Sequence, residues 1–164
     1  MEHCLERLKA YFDEHAVRYE VQHHRVAYTA QRVADELGEK GRHVAKVVVA
    51  WIDGKMAMLV LPAPAHVDDE RLAAWLGAKE VTHAHEDEFQ HLFPDCEVGA
   101  MPPFGNLYHL PVYLDRSLAD EPYLVFQAGS HRETMRIAAT DYVRLVSPTV
   151  GEFVQPPRSV MAVG

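Results

Sequence analysis

The chain has 164 residues, 16 of them basic and 24 acidic, giving a formal charge of −8 with histidine neutral. With 48% hydrophobic and 24% charged residues, it has the composition of a globular domain and too much apolar content for a disordered chain. The acidic balance argues against a general polyanion binder, because non-specific affinity for nucleic acid comes from neutralising phosphates. It leaves room for a local basic pocket.

Residues 2–14 read as a helix, with Leu5, Leu8 and Phe12 on one face. Val17 to Val21 alternates apolar and polar, as a strand does. Residues 29–37 read as a helix that Thr29 caps and Gly38 stops. Val44–Ile52 is β-branched and nearly all apolar, Asp53-Gly54 is a hairpin signal, and Lys55–Leu61 is the return strand. A helix follows from Asp68 to Leu76, stopped by Gly77, then a short strand at Lys79–Thr82 and a helix over 84–92 ended by Pro94. Pro111–Leu114, Tyr123–Ala128 and Thr134–Ala139 read as strands. A last helix runs from Thr140 or Asp141 to Leu145. Helices and strands mix without a βαβ rhythm, so the expected class is α+β, with a mixed, barrel-like sheet wrapped by helices. One domain is expected over 1–154, followed by a frayed tail over 155–164.

The longest apolar runs, such as Val47–Ile52, fall far short of the roughly 20 residues a membrane span requires. The N-terminus is charged where a signal peptide is apolar. The only cysteines, Cys4 and Cys96, are far apart in sequence and make no disulfide framework. A cytoplasmic location is therefore expected, with no membrane and no DNA partner.

Three features carry chemistry. Lys46 interrupts an apolar strand, where it either points outward from an edge or aims into a pocket to hold an anion or carbonyl. The loop Gly99-Ala100-Met101-Pro102-Pro103-Phe104-Gly105 is rigid, and is either a structural turn or a pocket wall with free backbone groups. Ala128-Gly129-Ser130-His131 places an imidazole at a strand end, structural or acting as donor, base or water-positioning group. Lys40, Arg42, His43 and Lys46 form one basic cluster and His131, Arg132 and Arg136 a second. Together they would form a pocket for a terminal phosphate or ribose. Eleven histidines invite a metal reading around His83, His85 and His91, but no zinc spacing is present. Neither cysteine lies in a CxxC motif, and Ser130 is not in a GxSxG elbow.

These segments, with Tyr28-Thr29-Ala30-Gln31-Arg32-Val33-Ala34, occur in an order that resembles the YbaK/ProX family. These are aminoacyl-tRNA deacylases related to the editing domain of bacterial prolyl-tRNA synthetases. The likeness covers roughly Leu5 to Val146. It implies hydrolysis of mischarged tRNA in trans, with a small amino acid such as alanine, cysteine or serine on tRNA for proline or a related tRNA. By motif position, Lys46 engages the acceptor end near the ester, Gly129 positions water or substrate, and His131 completes the catalytic group. Thr29, Gly99, Met101, Pro102, Pro103, Phe104, Gly105 and Ser130 fall on substrate-binding positions. The resemblance implies no cofactor and no metal. Its partners are the acceptor end of a mischarged tRNA and a synthetase or elongation factor that delivers it. One departure concerns specificity: several alanine-specific members follow the lysine with asparagine, whereas this chain has Val47. Two other classes compete. One is a non-catalytic module of the same fold that binds an aminoacyl-nucleotide or amino acid. The other is a metal-dependent hydrolase built on residues 83–91.

Overall fold

Leu5, Leu8 and Phe12 are the buried stripe of the first helix, α1 (Cys4–Glu14), in the computed structural model, which describes residues 3–156. The helix ends at Ala16, with φ of 56°, and the Val17 amide donates to the Phe12 carbonyl at 2.8 Å. Val17 is thus spent on closing the helix and filling the core. The strand expected at 17–21 begins later, as β1 (Glu20–His23).

The capping signals act as their residues dictate. Thr29 accepts from the Arg32 amide at the start of α2 (Ala30–Leu37), which Gly38 ends in the left-handed conformation. β2 (Ala45–Ile52) turns through Asp53-Gly54, both at positive φ, into β3 (Lys55–Pro62). Asp68 accepts from the Arg71 amide at the head of α3 (Asp69–Leu76), again ended by a left-handed glycine, Gly77. β4 (Val81–His83) leads into α4 (Glu86–Phe89). The helix expected over 84–92 tightens into a 3₁₀ turn at Gln90–Leu92, before Pro94, which disfavours continued helix in the residue preceding it.

The remaining elements are β5 (Val112–Asp115), α5 (Arg116–Ala119), β6 (Tyr123–Ser130), β7 (Glu133–Ala138), α6 (Ala139–Val146) and β8 (Thr149–Gly151). The sequence reading missed α5 and β8. Buried Asp115 starts α5 by accepting from the Ser117 amide and also takes the Phe153 amide.

The α+β expectation holds, but the described strands do not close into a barrel. They form a three-stranded sheet in the order β1-β7-β6 and a five-stranded sheet in the order β4-β2-β3-β5-β8. In the larger sheet β3, β5 and β8 run parallel to one another, while β2 is antiparallel to both β4 and β3. A single parallel bridge, Val44 to Val125, joins the two sheets.

The main core is organised on Phe104. Its ring lies 5.4 Å from Phe12, 5.3 Å from Phe126 and 5.3 Å from Tyr142, centroid to centroid. Aromatic pairs at these distances are attractive beyond the area they bury. The Tyr142 hydroxyl donates to the Pro103 carbonyl, so the one polar atom of this buried ring is satisfied. No helix among the described residues is long and apolar enough to cross a membrane. Of the expected tail, Gln155 is held by its amide on the His66 carbonyl, and 157–164 lie outside the described residues.

Candidate active site

Lys46 stands opposite Leu61 in the β2–β3 hairpin, on the strand face it shares with Val48 and Ala50 by the period of two. The Val44–Val125 bridge runs β2 and β6 side by side in one direction. Two residues further along each strand come Lys46 and Gln127. There the ladder has ended, and from Ala50 onward the outer edge of β2 is taken by β4. The two sheets therefore part just past the bridge, and Lys46 sits where they part. Lys46 is half-buried. Among the described residues it makes no ion pair and no side-chain hydrogen bond. Burial disfavours its charge and holds its pKa below the usual 10.5.

Gln127 leads to His131. Its Nε2 donates to the Ala27 carbonyl at 3.2 Å and lies 3.3 Å from His131 Nδ1. His131 Nε2 lies 2.8 Å from the Val98 carbonyl. These partners assign the tautomer: Nε2 carries the proton and Nδ1 accepts. The His131 amide donates to Glu97 Oε1 at 3.0 Å, and its carbonyl accepts from the Ala27 amide at 2.8 Å. Both ring nitrogens are thus engaged within the protein, and the geometry gives the buried ring a positioning task. It ties residues 97–99 and 27–28 to the end of β6.

Gly129 has φ of 90°. A Cβ there would stand 2.3 Å from the Cβ of Cys4, which explains the glycine. Its amide donates to the Ala100 carbonyl and its carbonyl accepts from the Glu97 amide. With both groups occupied, Gly129 presents the neighbouring residues rather than a free backbone donor. Ser130 Oγ donates to Glu133 and accepts from the Arg132 amide.

The 99–105 loop divides in two. Gly99 is exposed at φ of 85°, and a Cβ there would sit 3.6 Å from His131 Cε1. Met101, Pro102, Pro103, Phe104 and Gly105 are all buried. Phe104 and Met101 belong to the main core, and a Cβ on Gly105 would meet Val112 at 2.7 Å. The second half of the loop is core, and only its first residues border the site. Thr29 is exposed and serves as the α2 cap.

The basic clusters meet elsewhere than at Lys46. His43 stacks on Tyr123 at 4.5 Å, and the Arg136 guanidinium lies 3.6 Å from the same ring centre. Glu121 faces Arg42 and His43, while Glu39 accepts from the Tyr123 hydroxyl, so acids offset this positive charge. In the histidine-rich segment, His83 is paired with Asp69, and the Glu88 carboxylate accepts from the His85 amide. Tyr28 is the residue sequence reasoning passed over. It is 71% exposed, with its ring 4.9 Å from that of His131. Its place in the quoted 28–34 segment was the available signal. For Gln127 the signal was a polar residue in an apolar strand.

The family described as the aminoacyl-tRNA editing domain matches residues 24–145. The chain belongs to this family. The match takes in Tyr28, Lys46, Gly99, Gln127 and His131. It leaves all of α1, β1 and β8 outside. A comparison with curated proteins found no match to this chain. Among solved structures, one described as a candidate trans-editing enzyme for prolyl tRNA synthetase aligns with a TM-score of 0.79 and 19% identity. The alignment covers 95% of this chain and 99% of that one. The hypothetical protein APE2540 aligns with a TM-score of 0.81 and 15% identity, over 91% and 99%. A scaffold from epitope-grafting design aligns at 0.80 with 18% identity, over 95% and 99%. At these identities the likeness is one of fold, and it extends the editing-domain fold beyond the matched segment to nearly the whole chain.

Proposed function

We propose that the chain is an aminoacyl-tRNA deacylase that hydrolyses, in trans, the ester of a small amino acid, such as alanine, cysteine or serine, on tRNA for proline or a related tRNA. The observation that carries this reading is Lys46, a half-buried ammonium with no ion pair or side-chain hydrogen bond among the described residues, standing where the two sheets part. An aminoacyl ester is already activated, and hydrolysis needs a donor aimed at the carbonyl oxygen as negative charge develops on it. A half-buried lysine meets that need. In this reading Lys46 is the catalytic residue, and His131 and Gly129 are positioning residues that hold Gly99 and Tyr28 at the rim. The residues Thr29, Met101, Pro102, Pro103, Phe104, Gly105 and Ser130 shape the surroundings. Selection by size is the standard remedy where a synthetase site cannot reject a smaller amino acid. The acidic chain makes weak tRNA affinity its own expected property, so a synthetase or elongation factor in the cytoplasm delivers the substrate.

Deacylation of a panel of mischarged tRNAs tests this: alanine, cysteine and serine on tRNA for proline, and serine on tRNA for threonine. Release from at least one member by the wild type is the expected result. A folded protein that releases none of them overturns the proposal.

Tyr28 supplies the natural platform for the terminal adenine, its exposed ring standing beside His131. Stacking of a base on an aromatic ring contributes about 1–3 kcal/mol. Tyr28→Ala is therefore expected to raise KM about 10-fold with little change in kcat, and Tyr28→Trp to keep KM near the wild-type value. Steady-state kinetics on the active panel member measure both.

A further inference from the structure

The fold brings together two cysteines that lie 92 positions apart in the sequence. Cys4 opens α1, and its side chain packs against Gly129 at the end of β6. The Glu97 amide bonds the Gly129 carbonyl, which draws the 95–97 turn to the same place. Cys4, Asp95 and Cys96 then offer two sulfurs and a carboxylate oxygen, all within 4.8 Å of one another. We propose that Cys4, Asp95 and Cys96 form a binding site for one thiophilic divalent cation of the zinc class.

The spacing suits a tetrahedral ion. With metal–sulfur bonds of about 2.3 Å and metal–oxygen bonds of about 2.1 Å, neighbouring donors stand about 3.6–3.8 Å apart. Cys96 Sγ lies 3.6 Å from Asp95 Oδ1, so the groups need only small rotations. Tyr108 orients the carboxylate, its hydroxyl 3.0 and 3.1 Å from the two Asp95 oxygens. Partners of this kind fix the aim of a ligand and strengthen binding. Charge balances as well: two thiolates and one carboxylate meet a dication and the Arg7 guanidinium, which lies 3.6 Å from Asp95. The three residues line a cavity of about 400 Å³ together with His3, Gly129 and Ser130, with Cys4 buried and Cys96 partly exposed. The Tyr108 hydroxyl, 3.8 Å from Cys4 Sγ and 3.5 Å from Cys96 Sγ, stands at the fourth corner of the donor set. Two sulfur donors favour zinc-class ions over magnesium or calcium, which prefer oxygen. Binding exchanges two thiol protons for the metal. It clamps the first turn of α1 to the 95–97 turn, around the glycine that precedes His131.

The test uses Co2+ as a spectroscopic probe on the purified full chain under reducing conditions. One equivalent is expected to give thiolate-to-cobalt charge-transfer absorption. Zn2+ is expected to displace it and to protect Cys96, the partly exposed thiol, from iodoacetamide. Cys4→Ser and Cys96→Ser, checked for unchanged metal-free melting curves, are each expected to weaken Co2+ binding at least about 10-fold, whereas His83→Ala leaves it unchanged. Absence of the thiolate band, or Zn2+ that leaves the Cys96 thiol of the wild type as reactive as before, overturns the site. Since these readouts do not involve tRNA, they stand or fall apart from the deacylase reading.

Discussion

Replacing Lys46 with methionine is expected to abolish deacylation and to make the protein more stable. The side chain keeps most of its length and apolar stem but loses the ammonium. If that ammonium is the donor to the developing oxyanion, its removal lowers kcat by about 10²–10³-fold, the range for loss of one such donor. The stability gain has a separate origin. Lys46 is half-buried without an ion pair among the described residues, and burial lowers its pKa from 10.5. The folded chain therefore releases this proton more readily than the unfolded chain. The penalty on the charged fold is fully present below the folded-state pKa and disappears as pH rises past about 10.5. At neutral pH the variant should melt above the wild type, and the difference in Tm should close at alkaline pH. The lysine-dependent part of the rate should fall over that same rise, as the ammonium is lost. Paired melting curves and rate profiles measure both. A variant that keeps wild-type kcat removes Lys46 from the chemistry, and one that melts lower refutes the account of its burial.

Gly129→Ala is expected to be strongly destabilising, because a strained backbone and a collision act at one position. The left-handed backbone disfavours a Cβ by about 1–2 kcal/mol. The collision with Cys4, at 2.3 Å from its Cβ and 2.7 Å from its Sγ, adds about 1–3 kcal/mol of overpacking. Against a typical total stability of about 5–15 kcal/mol, the sum lowers Tm by on the order of 10 °C. Gly38→Ala separates the two causes. Gly38 has φ of 63° and nothing within 4 Å of an added Cβ, so it reports the backbone contribution alone. Thermal melts of the two variants should differ by several degrees. If Gly129→Ala melts with Gly38→Ala, the contact between α1 and the end of β6 is looser than described.

What the sequence revealed was local. Thr29 and Gly38, or Asp68 and Gly77, mark helix ends because capping depends on residues within one turn. Asp53-Gly54 sets the register of the whole β2–β3 hairpin for the same reason. Lys46 stood out because one charge in an apolar strand breaks the pattern. The features left open or missed are those decided by distant partners. Two prolines between glycines make a rigid loop whether it faces water or core, and only the rings of Phe12, Phe126 and Tyr142 around Phe104 decide for the core. His131 was legible as a strand-end imidazole, yet its task depends on the Val98 carbonyl and Gln127. The three-residue strand β8 is too short to show a period, and the Cys4–Cys96 encounter has no sequence signature.

The pairing order also governs when this molecule can form. Phe12 of α1 packs on Phe126 of β6, more than a hundred residues later, and β8 joins β5 with Gly151 beneath the Trp75 ring. Each of these contacts closes a long loop before any energy returns, which slows folding relative to helical proteins of similar size. During synthesis the first helix emerges with its apolar stripe uncovered and waits for most of the chain to follow. The β2–β3 hairpin and the capped helices α2 and α3 can form as they appear, while the parting of the two sheets at Lys46 exists only once β6 has arrived. Assembly of the candidate site is thus a late event, completed close to the final docking of the core.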